Sequence, residues 1–431
     1  MSDILLISPP NGIPATEHIS ISKNGKFTKS LPLGLGYIAS SLKDSGYDVE
    51  VVDFNAENLS YDDVYQFLDG VRYVGATSIT ANVNNALKIF ENVKNYDGSI
   101  KTLIGGPHAT SEPEETASMP YVDIVVVGEG EETAKQILDG KPLDRIEGIS
   151  YKGNGGVVLN EGKGKIDDLN DLPFIDYSLF SFQAYRPSEH RNLGHGINEP
   201  YYATMISRGC PFECGFCSTT HDEVRRKNPD KVFSEIEYNT RLLGTDKVMF
   251  YDDVFTLDRN YLEEVCRILD KLNLTWGCNT RVDVVNREIL EMMQDCGCKR
   301  VYIGAESGDD GILKSIDKKL TTDNILSFSE LAKDIGLEFS ASYILGLPGE
   351  TRKTIQKTID FSKRVDADFS QFYIFAPDPG SKINKQMKSN GIIEPFDWLD
   401  YKNMTRKITM CLGEEIEFTE LVDILNGLNM G

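Results

Sequence analysis

The chain has 431 residues, of which 40% are hydrophobic and 26% are charged, a composition typical of globular proteins. Its formal net charge of -22 disfavours a nucleic acid or an anionic membrane as the main partner, because both require clustered basic side chains. A small molecule or a lipid-like compound is a better candidate for the ligand. The N-terminus lacks the basic segment of a signal peptide, and no apolar run has the length of a transmembrane helix. The sequence therefore predicts a cytoplasmic protein.

Residues 1–140 predict an N-terminal domain in which strands and helices alternate. Each of its short apolar runs is followed by a stretch of helical periodicity, as expected for βα units around a parallel sheet. The predicted strands are Ile4 to Ser8, Val49 to Asp53, Tyr73 to Ile79, Thr102 to Ile104 and Ile124 to Val127. Parallel sheets bind ligands at the carboxyl ends of their strands, so the loops at those ends are candidate binding segments.

Three of these loops have features of ligand-binding segments. The first, residues 9–32, is long for a connection between a strand and a helix. The others combine glycines with polar side chains, at Gly105-Gly106-Pro107-His108 and at Gly128-Glu129-Gly130. Each loop alone is as consistent with an ordinary turn as with a binding site, but together on one sheet edge they favour a ligand. No G-x-G-x-x-G pattern follows the first strand, which disfavours an ordinary dinucleotide site.

Strand and helix signals resume after residues 141–200, which predict a linker with a small hairpin. Residues 201–385 then predict a partial (βα)6 barrel of the TIM type. Its expected strands are Ala203 to Ser207, Lys247 to Tyr251, Trp276 to Thr280, Arg300 to Gly304, Glu338 to Leu345 and Phe369 to Phe375. The predicted fold class is therefore α/β, with a flavodoxin- or Rossmann-like parallel sheet domain ahead of the barrel. The tail, residues 386–431 with Trp398 and Tyr401, is expected to cap the open barrel.

Three cysteines, Cys210, Cys214 and Cys217, lie within eight residues directly after the first barrel strand. Thiolates favour iron-sulfur clusters or zinc, and this spacing suits a cluster that keeps one iron open for chemistry. A structural zinc site with His221 as the fourth ligand is the alternative. The predicted small, buried core residues among the other cysteines are Cys266, Cys278, Cys296 and Cys298.

Polar residues also follow the other barrel strands, where catalytic groups of such barrels lie. Any one of them could instead be an ordinary helix cap. A ring of polar strand ends around a loop with three thiols is harder to explain as capping. The residues in question are Asp252, Asp253, Arg281, Glu306, Ser307, Gly346 and Glu350.

The segment from Arg208-Gly209-Cys210 to Cys217 resembles the cluster loop of radical S-adenosylmethionine (SAM) enzymes, and Gly346 to Glu350 resembles their adenine-contacting motif. The first domain resembles the cobalamin-binding domain of the cobalamin-dependent class, whose superfamily includes the anaerobic magnesium-protoporphyrin monomethyl ester cyclase. The motifs that carry this second resemblance are Leu31 to Tyr37, Gly105 to His108 and Val127 to Glu131.

This resemblance implies three cofactors: a 4Fe-4S cluster, SAM and cobalamin. Cys210, Cys214 and Cys217 would hold the cluster, and a reductant such as ferredoxin or flavodoxin would supply electrons. Asp252 and Asp253 would hold the SAM amino group and Arg281 its carboxylate. The other implied SAM contacts are Glu306, Ser307, Gly346 and Glu350. The implied cobalamin contacts are Thr77, Ser78, Gly105, Gly106, His108, Gly128, Glu129 and Gly130. The D-x-H-x-x-G motif is absent, so cobalamin should lack that histidine ligand.

The function that the resemblance favours is a cobalamin-dependent methyltransferase acting on an unactivated centre of a small molecule. A non-methylating cyclase, dehydratase or rearrangement enzyme, with a bound or degenerate cobalamin domain, is the alternative. A zinc-stabilised cobalamin-binding sensor is a candidate from another class. A methylthiotransferase is disfavoured because no cysteine precedes Cys210.

Overall fold

The structure is a computed structural model that describes residues 2–10, 30–185, 201–218, 223–400, 404 and 416–429. The strands are β1 Ile4–Ser8, β2 Val49–Asp53, β3 Tyr73–Thr77, β4 Lys101–Gly105, β5 Ile124–Val126, β6 Ile149–Gly153, β7 Gly156–Leu159, β8 Tyr202–Thr204, β9 Ser207–Arg208, β10 Arg225–Arg226, β11 Lys247–Phe250, β12 Thr275–Thr280, β13 Cys298–Glu306, β14 Glu338–Leu345 and β15 Phe369–Ile374. The helices are α1 Leu33–Asp44, α2 Phe54–Glu57, α3 Val83–Tyr96, α4 Pro107–Ser111, α5 Pro113–Ser118, α6 Glu131–Leu138, α7 Pro229–Leu243, α8 Arg259–Lys271, α9 Arg287–Asp295, α10 Asp310–Ser315, α11 Thr322–Ile335, α12 Arg352–Val365, α13 Lys382–Ser389 and α14 Phe418–Asn429.

The first sheet has the strand order β2-β1-β3-β4-β5-β6-β7. Its first five strands are parallel, and each overlaps a predicted apolar run with bounds that differ by at most two residues. Buried side chains cover both faces, in two separate clusters, which explains why these strands have continuous apolar sequences. The order 2-1-3-4-5 is flavodoxin-like and places a ligand crevice at the carboxyl ends of β1 and β3.

The hairpin expected in the linker extends this first sheet. β6 pairs antiparallel with β5, with Ile149 opposite Val126, and β7 pairs antiparallel with β6. Ile149 is fully buried in the core beneath the sheet. The hairpin thereby covers the edge of β5, which would otherwise present unpaired backbone groups. Residues 149–159 thus contribute to the first sheet, while the predicted boundary at residue 140 stays a prediction.

The second sheet contains six parallel strands in chain order, from β8 at one edge through β11, β12, β13 and β14 to β15 at the other. The predicted α/β fold class, with a partial barrel of six strands, is therefore confirmed. Alternate residues point to opposite faces: Val248 and Phe250 pack in the core beneath the helices, whereas Met249 packs with Tyr302 inside the barrel. The polar residues of the candidate site lie beyond this apolar packing, at the carboxyl ends of the strands.

The described parts of the C-terminal tail pack against both domains, whereas the sequence predicted a cap on the barrel. Leu421 and Leu425 of α14 pack in the barrel core. Trp398 instead packs in the core of the first domain, where its Nε1 donates to Glu115 Oε2 at 2.7 Å. A buried indole needs a partner for its N–H, and this carboxylate supplies one. Tyr401 lies outside the described residues.

Cys266, Cys278 and Cys298 are buried in the barrel core, as expected, and Cys296 is half-buried against it. Cys411 lies outside the described residues. Within the described ranges, no helix has both the length and the apolar character needed to cross a membrane.

Candidate active site

The loop with three cysteines leaves the barrel at the carboxyl end of β8. Gly209 adopts a φ of 102°, a left-handed value that favours glycine, and so turns the chain into the loop. Cys214 is buried, whereas Cys210 and Cys217 are half-buried. Burial raises the pKa of the Cys210 thiol, and the nearby Asp253 and the other two cysteines add to the rise. The Cys210 thiol therefore lies near Asp253 and the other two cysteines.

Two backbone contacts fasten this loop to the barrel. The amide of Gly215 donates to the carbonyl of Ile316 at 2.8 Å, and the carbonyl of Gly215 accepts from the amide of Ile383 at 3.0 Å. A Cβ at residue 215 would lie 3.4 Å from the Ile316 oxygen, which leaves little room for a side chain. The sequence signal for this glycine is its position between two cysteines.

The three thiols lie on one loop beside the buried guanidinium of Arg281. This set of donors fits an iron-sulfur cluster. Among the described residues, no group of three His, Cys, Asp or Glu side chains is arranged to hold a single metal ion. His221, the fourth ligand of the alternative zinc site, lies outside those residues.

The two adjacent aspartates after β11 have different environments. Asp252 is buried, and its Oδ1 accepts from the amide of Ser207 at 2.6 Å, while Oδ1 and Oδ2 accept from the amide of Ile206 at 3.2 and 3.3 Å. Burial raises the pKa of Asp252 to about 6. Asp253 is exposed and makes no hydrogen bond or ion pair with the other described residues. Asp252 therefore fixes the start of the cysteine loop, and Asp253 is the carboxylate that stays open to a ligand.

Arg281 follows β12 and reaches the cysteine loop. Its guanidinium holds both oxygens of Asp283, at 3.0 and 3.1 Å, and its Nη1 lies 3.7 Å from Cys214 Sγ. The guanidinium also stacks on Phe212, with 3.8 Å between its central carbon and the ring centroid. A bidentate carboxylate pair and a stacking partner fix the orientation of this cation beside the thiol.

Glu306 ends β13 at a bulge, where the register with β14 shifts between Gly304 and Glu306. Its φ of 60° is left-handed, which is uncommon outside glycine and marks a strained position. The buried carboxylate accepts from Lys318 Nζ at 2.7 Å and lies over Gly304. Ser307, the next residue, is buried with its hydroxyl 3.2 Å from Thr358 Oγ1 of α12. The structure thus turns Glu306 toward Lys318 and Ser307 toward a helix.

The turn from Gly346 to Glu350 is organised by its last residue. Oε2 of Glu350 accepts from the amides of Gly346 at 2.6 Å and Leu347 at 3.1 Å. The side chain is fully buried, and Oε1 has no hydrogen-bond partner in the described structure. Burial raises the pKa of Glu350 to about 7. Glu350 therefore shapes the turn, and the predicted contact of this turn with SAM stays a prediction.

The carboxyl ends of β3 and β4 touch each other at the predicted cobalamin edge. The amide and the hydroxyl of Ser78 donate to the carbonyl of Gly105 at 2.8 and 2.9 Å. Gly106 has a φ of 95°, and a Cβ there would lie 2.7 Å from the Ser78 oxygen and 2.9 Å from Thr77 Oγ1. Only glycine fits this close approach.

His108 lies beside these glycines and is buried. Its Nδ1 is 3.2 Å from Thr80 Oγ1, and its Nε2 has no hydrogen-bond partner among the described residues. The imidazole contacts the Trp398 ring edge-on, with 4.5 Å between the ring centroids. Burial, assisted by the charge of Lys388, lowers the pKa of His108 to about 3, so the ring is neutral. A buried nitrogen without a partner at a ligand edge fits contact with a bound group.

The third predicted cobalamin segment makes contacts that the sequence did not reveal. Gly128 has a φ of 88° and pairs with Gly164, and a Cβ at Gly130 would lie 2.8 Å from Ile38. Glu129 binds Arg225 at 2.7 Å and Arg208 at 3.2 Å, across the boundary between the two sheets. Its predicted contact with cobalamin stays a prediction.

Sequence reasoning missed the basic residues that surround the site. Lys318 binds Glu306, and its carbonyl accepts from Arg281 at 3.0 Å. Arg208 and Arg225 bind acidic residues of the first domain. The position of Arg208 next to the cysteine motif was a signal for its role, whereas Lys318 and Arg225 are marked by no local pattern.

The cysteine loop at a barrel strand end and the glycine edge of a flavodoxin-like sheet define a radical enzyme with a second cofactor domain. The Radical SAM superfamily model matches residues 204–362, and the B12 binding domain model matches residues 28–138. The chain belongs to the radical SAM superfamily and carries a B12 binding domain ahead of its barrel.

Individual relatives agree with this assignment. The uncharacterized methyltransferase PH0819 of Pyrococcus horikoshii is 33% identical over 410 residues, which cover 92% of this chain and 86% of the relative. The anaerobic magnesium-protoporphyrin IX monomethyl ester cyclase of Rubrivivax gelatinosus is 28% identical and covers 87% of this chain and 69% of its own. The methyltransferase TsrM of Kitasatospora setae, solved with cobalamin and a 4Fe-4S cluster, has a TM-score of 0.69 at 15% identity and covers 90% of this chain and 75% of its own.

This chain is therefore an enzyme, and its cofactors are SAM, a 4Fe-4S cluster and cobalamin. The enzyme assignment removes the zinc-stabilised sensor from the candidate functions.

Proposed function

We propose that this chain is a cobalamin-dependent radical SAM methyltransferase that modifies an unactivated centre of a small molecule. The observation that carries the proposal is that the carboxyl ends of the two sheets face each other. Arg208, next to the cysteine loop, lies 2.7 Å from Glu131, which follows β5. On another side, Ser30 Oγ lies 3.4 Å from the hydroxyl of Tyr251, which follows β11. A substrate between the two edges would meet both cofactors.

The cysteine loop and the barrel strand ends would hold the cluster and SAM. Cys210, Cys214 and Cys217 would bind the cluster, and Asp253 offers an open carboxylate for the SAM amino group. Arg281 contributes a fixed positive charge beside Cys214, which would offset negative charge on the bound cluster. When bound, the cluster and SAM supply one-electron chemistry, and cobalamin supplies a transferable methyl group.

On the other edge, backbone and neutral groups would hold cobalamin. Gly105, Gly106, Gly128 and Gly130, with Thr77 and Ser78, form the predicted edge. His108 remains uncharged over the physiological range because burial disfavours its protonated form. Its Nε2 has no hydrogen-bond partner among the described residues, and we assign it a contact with the cofactor.

A non-methylating reaction is the second candidate, because one relative is a cyclase and covers 87% of this chain. The two candidates differ in their products. A methyltransferase consumes SAM to give S-adenosylhomocysteine in addition to 5'-deoxyadenosine. A cyclase or rearrangement enzyme gives 5'-deoxyadenosine without methyl transfer. We infer a cytoplasmic setting with a ferredoxin or flavodoxin as the reductant.

The test is an anaerobic assay of reduced, reconstituted protein with SAM, cobalamin and fractionated cell extract. We expect S-adenosylhomocysteine and a product that carries the methyl group of labelled methionine. 5'-Deoxyadenosine without either would contradict methyl transfer and favour the second candidate. Cys214→Ser should abolish both products together with the iron content. Cys296→Ser is the matched control, because Cys296 is a half-buried cysteine outside the loop.

A further inference from the structure

Four charged side chains join the loop after β5 to the short strand pair next to the cysteine loop. Arg208 Nη2 lies 2.7 Å from Glu131 Oε1, and its Nη1 lies 3.2 Å from Glu129 Oε1. Arg225 donates to both oxygens of Glu129, at 2.7 and 3.0 Å. The four side chains are between 5% and 20% exposed. We call this set the interdomain ion network.

The network compensates for an unfavourable pairing within the barrel domain. Arg208 of β9 is the direct cross-strand partner of Arg225 of β10. Like charges directly opposite one another destabilise a strand pair. Each of these strands has two residues, so the pair has few other contacts of its own. Because Glu129 contacts both guanidinium groups, the first domain stabilises a ribbon that would otherwise be repulsive.

The carboxylate of Glu129 is already fully engaged by protein groups. Its Oε1 contacts both arginines, and its Oε2 accepts from Arg225 and from the amide of Ile166 at 2.5 Å. Burial opposes ionisation of Glu129, but the hydrogen bond from Arg225 and the charge of Arg208 outweigh it and lower its pKa. A cobalamin group would have to displace one of these contacts to reach the carboxylate.

We propose that Glu129 and Glu131 are positioning residues that hold the cysteine loop in register with the cobalamin edge, rather than cobalamin contacts. Arg208 is followed directly by Gly209 and Cys210, so movement of its backbone moves the first cluster ligand. Glu129 lies between the glycines of the cobalamin edge. The network therefore couples the geometry of the two cofactor sites. The catalytic consequence rests on the proposed function, but the coupling itself does not.

Hydrogen exchange of the protein without cofactors tests the coupling directly. The amide of Lys227, next to β10, donates to the carbonyl of Ile206 at 2.9 Å and reports on the ribbon. In Glu129→Gln we expect its exchange to rise by roughly 10-fold, because the two arginines lose their counter-charge. Glu132→Gln is the matched control, because Glu132 is an exposed glutamate three residues further along the chain, in the first turn of α6, and its replacement should leave the exchange unchanged. Unchanged exchange in Glu129→Gln would overturn the proposal.

A double-mutant cycle with Arg225→Gln separates positioning from cofactor contact. If Glu129 acts through Arg225, the double variant should lose no more ribbon protection than either single variant. Cobalamin affinity, measured by absorbance titration, should stay within about twofold in Glu129→Gln, whereas loss of a direct contact would weaken it by roughly 10-fold or more. Additive effects on protection together with weakened cobalamin binding would overturn the proposal. If Glu129→Gln does not fold, Glu131→Gln replaces it in these experiments, because it removes only the contact with Arg208. The same outcomes then support or overturn the proposal.

The catalytic readout distinguishes failure of this inference from failure of the proposed function. If the native enzyme forms no S-adenosylhomocysteine, the proposed function fails, while the exchange and titration results still decide the coupling. If the native enzyme forms it, we expect Glu129→Gln to lower its rate by roughly 10-fold at saturating cobalamin, with 5'-deoxyadenosine formation less affected. An equal loss of both products with intact ribbon protection would contradict the coupling.

Discussion

Arg281 Nη1 lies 3.7 Å from Cys214 Sγ, although the two residues are 67 positions apart in the chain. The guanidinium is 7% exposed and is fixed by Asp283 and by the ring of Phe212. A fixed cation at this distance stabilises negative charge on a bound cluster.

Replacing this cation tests its electrostatic role. Arg281→Met should leave Asp283 without its ion-pair partner and lower the reduction potential of the cluster, because added negative charge is no longer offset. Because a cluster of lower potential is harder to reduce, we expect the rate of SAM cleavage with a fixed reductant to fall by about 10-fold to 100-fold. Potentiometric titration followed by EPR measures the potential directly. Arg287→Met is the control for the loss of an exposed arginine, and an equal potential in both variants would contradict this role.

Glu350 predicts a pH dependence of stability. Its pKa in the folded protein is raised from 4.5 to about 7 by burial, so the folded state holds a proton that the unfolded state has released. The proton on Glu350 therefore stabilises the folded state fully below pH 4.5. This stabilisation is lost as the pH rises from 4.5 through about 7, and its upper limit is about 3 kcal/mol. Glu350→Gln keeps an acceptor for the amides of Gly346 and Leu347 and cannot ionise. In thermal unfolding, the melting temperature of the variant should rise relative to that of the native protein between about pH 5 and about pH 8. A constant difference between the two melting temperatures would refute the raised pKa of Glu350.

His108 predicts the opposite behaviour at acid pH. Its pKa is lowered from 6.5 to about 3 by burial and by Lys388, so between these values the unfolded state binds a proton that the folded state does not. Stability therefore falls as the pH drops below 6.5, by about 2 kcal/mol at about pH 5. In His108→Gln this loss should be absent, as measured by denaturant unfolding at several pH values. Cobalamin affinity of the native protein should be flat across neutral pH, because the ring does not titrate there.

Trp398 predicts a link between the tail and the cobalamin edge. Trp398→Ala removes a buried ring from the core of the first domain and should destabilise the protein by about 3 to 5 kcal/mol. Trp398→Phe keeps a ring against His108 but loses the hydrogen bond to Glu115, and should cost about 1.5 to 3 kcal/mol. We expect cobalamin titration to show a larger loss of affinity for the alanine variant. Equal affinity in both variants would show that the tail and the cofactor edge are independent.

Much of the architecture was predictable because local signals and tertiary packing agree. All strands of the first parallel sheet and of the barrel follow from short apolar runs bounded by polar loops. α8 was predicted from its apolar stripe, and Leu262, Val265 and Leu269 are buried as that stripe requires. The hairpin after α6 was visible in the sequence, but its place on the edge of β5 was not, since pairing depends on partners distant in the chain.

The candidate site was predictable as a set of positions and less so as a set of roles. Asp252 and Glu350 were expected to face SAM, and the structure shows both carboxylates accepting from backbone amides. A sequence places an acidic residue at a strand end, but it does not say whether an amide or a ligand is its nearest donor. Those predicted contacts with SAM and cobalamin stay predictions.

The sequence by itself determined the cysteine loop, the glycines of the cobalamin edge and the order of strands and helices, because each depends on residues that are close in the chain. Only the tertiary structure decided which charges meet. Glu129 and Arg225 are 96 residues apart, and Glu131 and Arg208 are 77 apart, yet each pair is in contact. Such contacts depend on how the two sheets are placed against each other, and that placement is set by the packing of many buried side chains at once.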